Sequence, residues 1–263
     1  DLSIDYGKQI SKDFTLQFKG TFTFARNKVL EYDEAPGLRP GMKTVGRRLN
    51  TFLGYVTNGL YENYTDVEES PTSTLGNIAI SPGDIKYVDQ PDANGNYDGR
   101  ITSDDRVEIG DPWIPEIVYG FGPSMRWKNW DFSFFFQGQT NVSLIMENFE
   151  PFGERSARGV LAWIADDYWS PDYPNVNAKH PRLTRLTNNH NMQVSTYWLR
   201  DASFLKLKNV ELGYSYKKAR FYISGSNLLT ISPFKHWDPE VGTGAGMQYP
   251  TQRIFNLGIQ MSF

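Results

Sequence analysis

The sequence predicts an all-β chain whose antiparallel strands form part of a transmembrane β-barrel. Three observations lead there: strict alternation of apolar and polar residues, a heavy aromatic load on the apolar side, and connections that alternate between short and long. Successive side chains of a strand point to opposite faces, so alternation gives one greasy and one wet side. A barrel in a bilayer needs that arrangement, with lipid outside and a polar lumen inside. A soluble sandwich alternates too, so the combination of the three carries the reading.

Taken in order, "DFTLQFKGTFTF" places Phe14, Leu16, Phe18, Phe22 and Phe24 opposite Thr15, Gln17, Lys19, Thr21 and Thr23. "EIVYGFGPSMRWK" sets Ile117, Tyr119, Phe121, Met125 and Trp127 against Gly120, Gly122, Ser124, Arg126 and Lys128. In "NWDFSFFFQG" the apolar set is Trp130, Phe132, Phe134 and Phe136, and only Phe135 departs from the rule. "NVELGYSY" alternates as well, while "ARFYISGSNLLT" is less regular. The closing "IFNLGIQMSF" puts Phe255, Leu257, Ile259, Met261 and Phe263 on one face and ends on an aromatic, the pattern read here as a C-terminal barrel-assembly signal.

Very short polar turns, in "GKQISKD", at Lys128 to Trp130 and at Lys217 to Ala219, join some neighbours. The alternate joins are long, covering residues 28–115, 143–196 and 232–249. Short turns on one side and long loops on the other are the signature of an outer-membrane barrel, whose long loops face outward. Each spanning strand needs roughly 9–11 residues, and the chain supplies about seven such strands, short of the eight or more in a closed single-chain barrel. The chain is therefore expected to be one piece of a larger barrel. Its first residues, "DLSIDYGKQI", lack the basic start and apolar core of a signal peptide, so an exported barrel is expected to have sequence before them.

Composition excludes several classes. No run of 18 or more apolar residues exists, so no helical span is expected. The negative mean hydropathy is no argument against a barrel, whose lumen and loops are polar. Aromatics at 15% suit membrane-interface girdles or carbohydrate platforms. The absence of Cys removes disulfides, thiol catalysis and thiolate metal sites. A net charge of −3 leaves no basic footprint for nucleic acid.

The ordered series "GTFTFARNKVLEYDE", "LGYVTNGLYEN", "PGDIKYVD", "ITSDDRVEIG", "PEIVYGFGPSMRWKNWDFSFFFQG", "WLRDASFLKLKNVELGYS", "FYISGSNLLT", "WDPEV" and "YPTQRIFNLGIQMSF" resembles the C-terminal portion of SusC-like (SusC/RagA family) TonB-dependent transporters of the Bacteroidetes outer membrane. The resemblance runs almost end to end. It implies a plugged barrel of about 22 strands, a SusD-like surface lipoprotein as lid, TonB as driver and import of glycan or peptide. It further implies a dimer of transporter–lipoprotein pairs set in outer-membrane lipid. The plug domain and TonB-coupling region of that family are absent from these residues, and residues 28–115 become a long extracellular loop.

Within that loop, "DANGNYDGRITSDD" is the one spacing that suggests a metal. Ca²⁺ takes about six to eight oxygens, which an EF-hand loop supplies from alternate positions around a Gly turn. Asp98, the Arg100 carbonyl and Asp105 fit positions 5, 7 and 12, preceded by Asn94 and Asn96, or by Asp92 and Asn94 if "NY" is an insertion into the shorter run that similar family members show. A structural Ca²⁺ held by Asp92, Asn94, Asn96, Asp98, Arg100 and Asp105 is the expectation, and a metal-free Asn/Asp/Gly turn is the alternative.

The remaining candidates are weaker. Neighbouring acids such as Asp166 and Asp167, or Asp104 and Asp105, seldom give the geometry of a glycosidase pair, so no enzyme is expected. His180, His190 and His236 show no ligand spacing and read as surface residues. The "GTGAG" stretch reads as loop flexibility. Loop aromatics Tyr61, Tyr64, Trp163, Tyr168, Trp169, Tyr173 and Trp237 are the candidates for substrate or lid contact, since a sugar ring stacks on an aromatic face. The competing class is a secreted, soluble, calcium-binding β-sandwich that adheres to polysaccharide, which would pack its Phe-rich faces against a second sheet. A passive porin is a third, less favoured by the long loops.

Overall fold

The computed structural model describes residues 1–147 and 159–262. Seven antiparallel strands lie side by side in chain order: β1 (Leu2–Ser11), β2 (Phe14–Phe24), β3 (Ile117–Trp127), β4 (Trp130–Thr140), β5 (Phe204–Tyr216), β6 (Ala219–Ile231) and β7 (Ile254–Met261). The two-residue turns Lys12–Asp13, Lys128–Asn129 and Lys217–Lys218 close three hairpins at one end. Lys128 and Lys217 take φ of 53° and 52°, because a two-residue turn matches strand twist only with left-handed residues.

Register shows why the alternation matters. Phe14 faces Trp127, Trp127 faces Trp130, Trp130 faces Tyr214, Tyr214 faces Phe221 and Phe221 faces Ile259, so one row of five aromatics crosses the sheet next to the short turns. The next row on that face is Leu16, Met125, Phe132, Leu212, Ile223 and Leu257. The opposite face runs Gln17, Ser124, Ser133, Glu211, Ser224 and Asn256. Phe135 points to this polar face, where a Cβ on Gly120 would lie 2.7 Å from its ring. The irregular Phe in the sequence thus covers a glycine that leaves room for it.

The apolar face is bare. Phe255 is 76% and Leu257 83% exposed, and the other sheets among the described residues are two-stranded ladders that form no second layer against it. A contiguous apolar surface of this kind is suited to contact with lipid or with another apolar surface. No helix among the described residues is long and apolar enough to cross a membrane. The second sheet that the β-sandwich alternative requires is not present among the described residues.

The buried core lies in the connections instead. Tyr55, Leu60, Ile85, Tyr87, Ile101, Leu144, Ile145, Met146 and Ile164 pack together beyond the long-loop end of the sheet. Short ladders pair Phe52–Gly54 with Val107–Ile109, Thr57–Leu60 with Ile85–Tyr87, and Ser143–Ile145 with Leu199–Asp201. Chains of this length must satisfy their own backbone groups, and the ladders do so. Two sequence readings change as a result. His180 and His190 are buried rather than on the surface, and the "GTGAG" stretch is pinned: Gly244 bridges Met146, and Thr243 Oγ1 accepts from the Ile145 N–H at 3.1 Å. The physical reason is common to all: the loops fold as one packed layer.

Candidate ligand cleft in the loop layer

A buried carboxylate ties the first long connection to the second. Asp84 is 1% exposed. Its Oδ1 accepts from Arg182 Nε at 2.7 Å, Asn188 Nδ2 at 2.9 Å and Asn191 Nδ2 at 2.8 Å, and its Oδ2 accepts from Arg182 Nη2 at 3.0 Å and the Ser81 N–H at 2.9 Å. A carboxylate with five donors and a paired guanidinium is satisfied despite burial. His190 lies alongside, with Nε2 2.7 Å from the Ile85 carbonyl and Nδ1 3.1 Å from Ser73 Oγ. Because a carbonyl only accepts, Nε2 carries the proton and Nδ1 accepts the Ser73 hydroxyl. Burial pushes the His190 pKa below its ordinary value.

Against this clasp lies an open cleft of about 730 Å³, lined by Asn63, Tyr64, Tyr168, Trp169, Pro171 and Arg182 among others. Asn63 caps the helix Tyr64–Glu69 by accepting the Asp66 N–H at 2.9 Å, which presents Tyr64 at 66% exposure. The Trp169 ring lies against Gly83, whose φ is +85° and whose Cβ, if present, would overlap the indole. Trp169 Nε1 is buried and has no hydrogen-bond partner among the described residues, an arrangement that a water would complete.

The seven candidate aromatics separate. Tyr64, Tyr168 and Trp169 line the cleft, and Tyr173 stands beside it at 68% exposure, paired with Ser170. Tyr61 lies in the interior at 1% exposure, where burial pushes its hydroxyl pKa up to about 12. Trp163 packs 4.7 Å from the His236 ring, and Trp237 packs 4.6 Å from Phe234 while donating Nε1–H to the Gly242 carbonyl at 3.1 Å.

The acidic turn is braced by a side chain from elsewhere. Arg39 Nη2 donates to Asp98 Oδ2 at 2.6 Å, and its Nη1 donates to Asp105 Oδ1 at 2.8 Å and to the Gln90 carbonyl at 2.6 Å. Asp92 Oδ1 accepts the N–H groups of Asn96 at 2.9 Å and Asn94 at 2.7 Å, which lowers its pKa. Burial raises that of Asp89, whose Oδ1 sits 3.9 Å from Arg39. Two of the three carboxylates that the spacing assigned to Ca²⁺, Asp98 and Asp105, thus converge on a guanidinium. Among the described residues no group of three or more His, Cys, Asp or Glu is disposed to hold a metal. Within the set Asp92, Asn94, Asn96, Asp98, Arg100 and Asp105, Arg39 holds two of the three carboxylates.

The last connection is anchored to the polar face. Lys206 is fully buried, with Nζ 2.7 Å from both Asp238 carboxylate oxygens and bonded also to Glu240, whose other oxygen takes Lys208 at 2.7 Å. The sequence carried a signal for this clasp that pattern reading passed over: two lysines spaced by two in "LKLKN" and two acids spaced by two in "WDPEV". Asp84, Arg182 and Arg39 left none, because their partners are distant in sequence. At the other terminus, Phe255, Leu257, Ile259 and Met261 share the apolar face of β7, and Phe263 lies outside the described residues.

No protein-family model matches the chain. Curated relatives do. The chain is 28% identical over 300 residues to TonB-dependent receptor P3 of Formosa agariphila, an alignment covering 100% of this chain and 28% of that protein. It is 26% identical over 283 residues to TonB-dependent receptor SusC of Bacteroides thetaiotaomicron, covering 100% of this chain and 26% of SusC. Solved structures of the RagAB peptide transporter and of the RagAB peptide importer in its "open-open" state superpose with TM-scores of 0.72 and 0.71, at 23% and 20% identity, over 99% of this chain and 28% of theirs. The chain thus spans about a quarter of the length of the proteins it matches. Its motifs and these likenesses agree that this chain is similar to a section of SusC-like TonB-dependent receptors, and its seven-stranded antiparallel sheet has the fold of the matching part of the RagAB structures.

Proposed function

We propose that this chain is part of the transport subunit of an outer-membrane nutrient importer, a conduit and not an enzyme. The observation that carries the reading is the division of labour in the fold: a sheet whose apolar face is bare, joined at one end to a packed loop layer that holds an aromatic cleft. The polar face would line the lumen, and the loop layer would meet cargo and a SusD-like lipoprotein lid. Energy would come through TonB, as the names of the relatives suggest. Cargo is a glycan or a peptide; the cleft offers the exposed Tyr64 ring for stacking.

Gentle detergent extraction of the full-length protein from its native membrane, followed by mass spectrometry of what co-purifies, tests this. Recovery from the membrane with a surface lipoprotein supports the importer. Recovery in the soluble fraction, without lipid or lipoprotein, overturns it. Replacing Tyr64 by Ala is expected to weaken cargo binding by about tenfold, the scale of one aromatic contact, without loss of folded protein.

A further inference from the structure

The short-turn edge of the sheet carries a charge that the chain as a whole does not. Its three turns hold Lys12, Lys128, Lys217 and Lys218 against one acid, Asp13, while the net charge of the chain is −3. All four lysines are exposed, and none of them takes part in an ion pair among the described residues. Directly inside them runs the aromatic row from Phe14 to Phe221. Lys128 Nζ lies 5.6 Å from the Trp127 ring and Lys217 Nζ 5.4 Å from the Tyr216 ring, so the stems follow the apolar face while the ammonium groups reach the rim.

The turns themselves would fold more easily with other residues. At φ near +53° an Asn or Gly is the favoured choice, and Lys bears a steric cost there. The same departure at two equivalent turns points to a role outside the fold. Passing outward from the row of Leu16, Phe132 and Leu257, the surface presents aliphatic groups, then aromatic rings, then free ammonium groups. A bilayer presents acyl chains, then the interface, then phosphates, in the same order.

We propose that this rim binds the phosphates of anionic phospholipids in the leaflet at the short-turn end and so fixes the depth of the barrel. The inference rests on the membrane reading above. Full-length protein in mild detergent, mixed with phosphatidylglycerol or phosphatidylcholine, is examined by native mass spectrometry of retained lipid. The wild type is compared with K12Q/K128Q/K217Q/K218Q and with the matching lysine-to-arginine variant, each first shown to be folded by its heat-modifiable gel mobility. Preference of the wild type for phosphatidylglycerol by about fivefold or more, lost with Gln and kept with Arg, supports the proposal. Equal retention by all three overturns it and leaves the barrel standing. Protein found only in the soluble fraction overturns both.

Discussion

Gly83 holds the cleft floor, because its left-handed φ and its lack of a Cβ let the Trp169 ring lie flat on the backbone. Gly83→Ala is expected to cost about 1–3 kcal/mol and to push Trp169 into the cleft, read as a lower melting temperature with changed tryptophan emission. His190 makes the loop layer sensitive to pH. Its folded pKa is below the ordinary 6.5 because burial disfavours the charged ring. The stability it contributes is complete above that value and is lost as pH falls toward the folded pKa. Protection factors in residues 73–87, corrected for intrinsic exchange, should therefore fall as pH drops below about 6.5, and less so in His190→Gln. Arg39 supplies the positive charge of the acidic turn. Added Ca²⁺ should leave the melting temperature unchanged, whereas Arg39→Met should loosen residues 89–106, as followed by hydrogen exchange. A Ca²⁺-dependent rise in the wild type would favour the calcium reading instead.

Among the elements, the final connection depends on one buried lysine of β5. Lys206→Met would leave Asp238 and Glu240 without their main counter-charge, a loss of about 3–5 kcal/mol for a broken buried pair. Residues 232–253 should then become the first site of limited proteolysis while the sheet stays protected. Alternation let the strands and their faces be read directly, since a period of two is a property of neighbouring residues. The placement of Phe135 was not legible in that way, because its reason is Gly120 on the next strand. The loop elements were illegible for a stronger version of the same cause: Asn191 reaches Asp84 across 107 positions of sequence.

For the whole molecule, the two faces of the sheet predict opposite responses to the same change. Ile223 lies on the bare face and Ser224 on the polar one. Ile223→Arg should cost roughly 2–4 kcal/mol at the depth of the bilayer and block assembly, scored by loss of heat-modifiable gel mobility. Ser224→Arg should assemble. Equal effects would mean that the apolar face does not meet lipid.

By itself the sequence determined the strands, the sidedness of the sheet and the asymmetry of its connections, because each is written in local spacing and length. Only the tertiary structure decided that the long connections form a packed layer, that Asp84 and Arg182 clasp it, that Arg39 occupies the centre of the acidic turn, and that three of seven candidate aromatics share one cleft. Those contacts join segments far apart in the chain, and which partners meet is settled by burial and hydrogen-bond satisfaction in three dimensions rather than by any pattern along it.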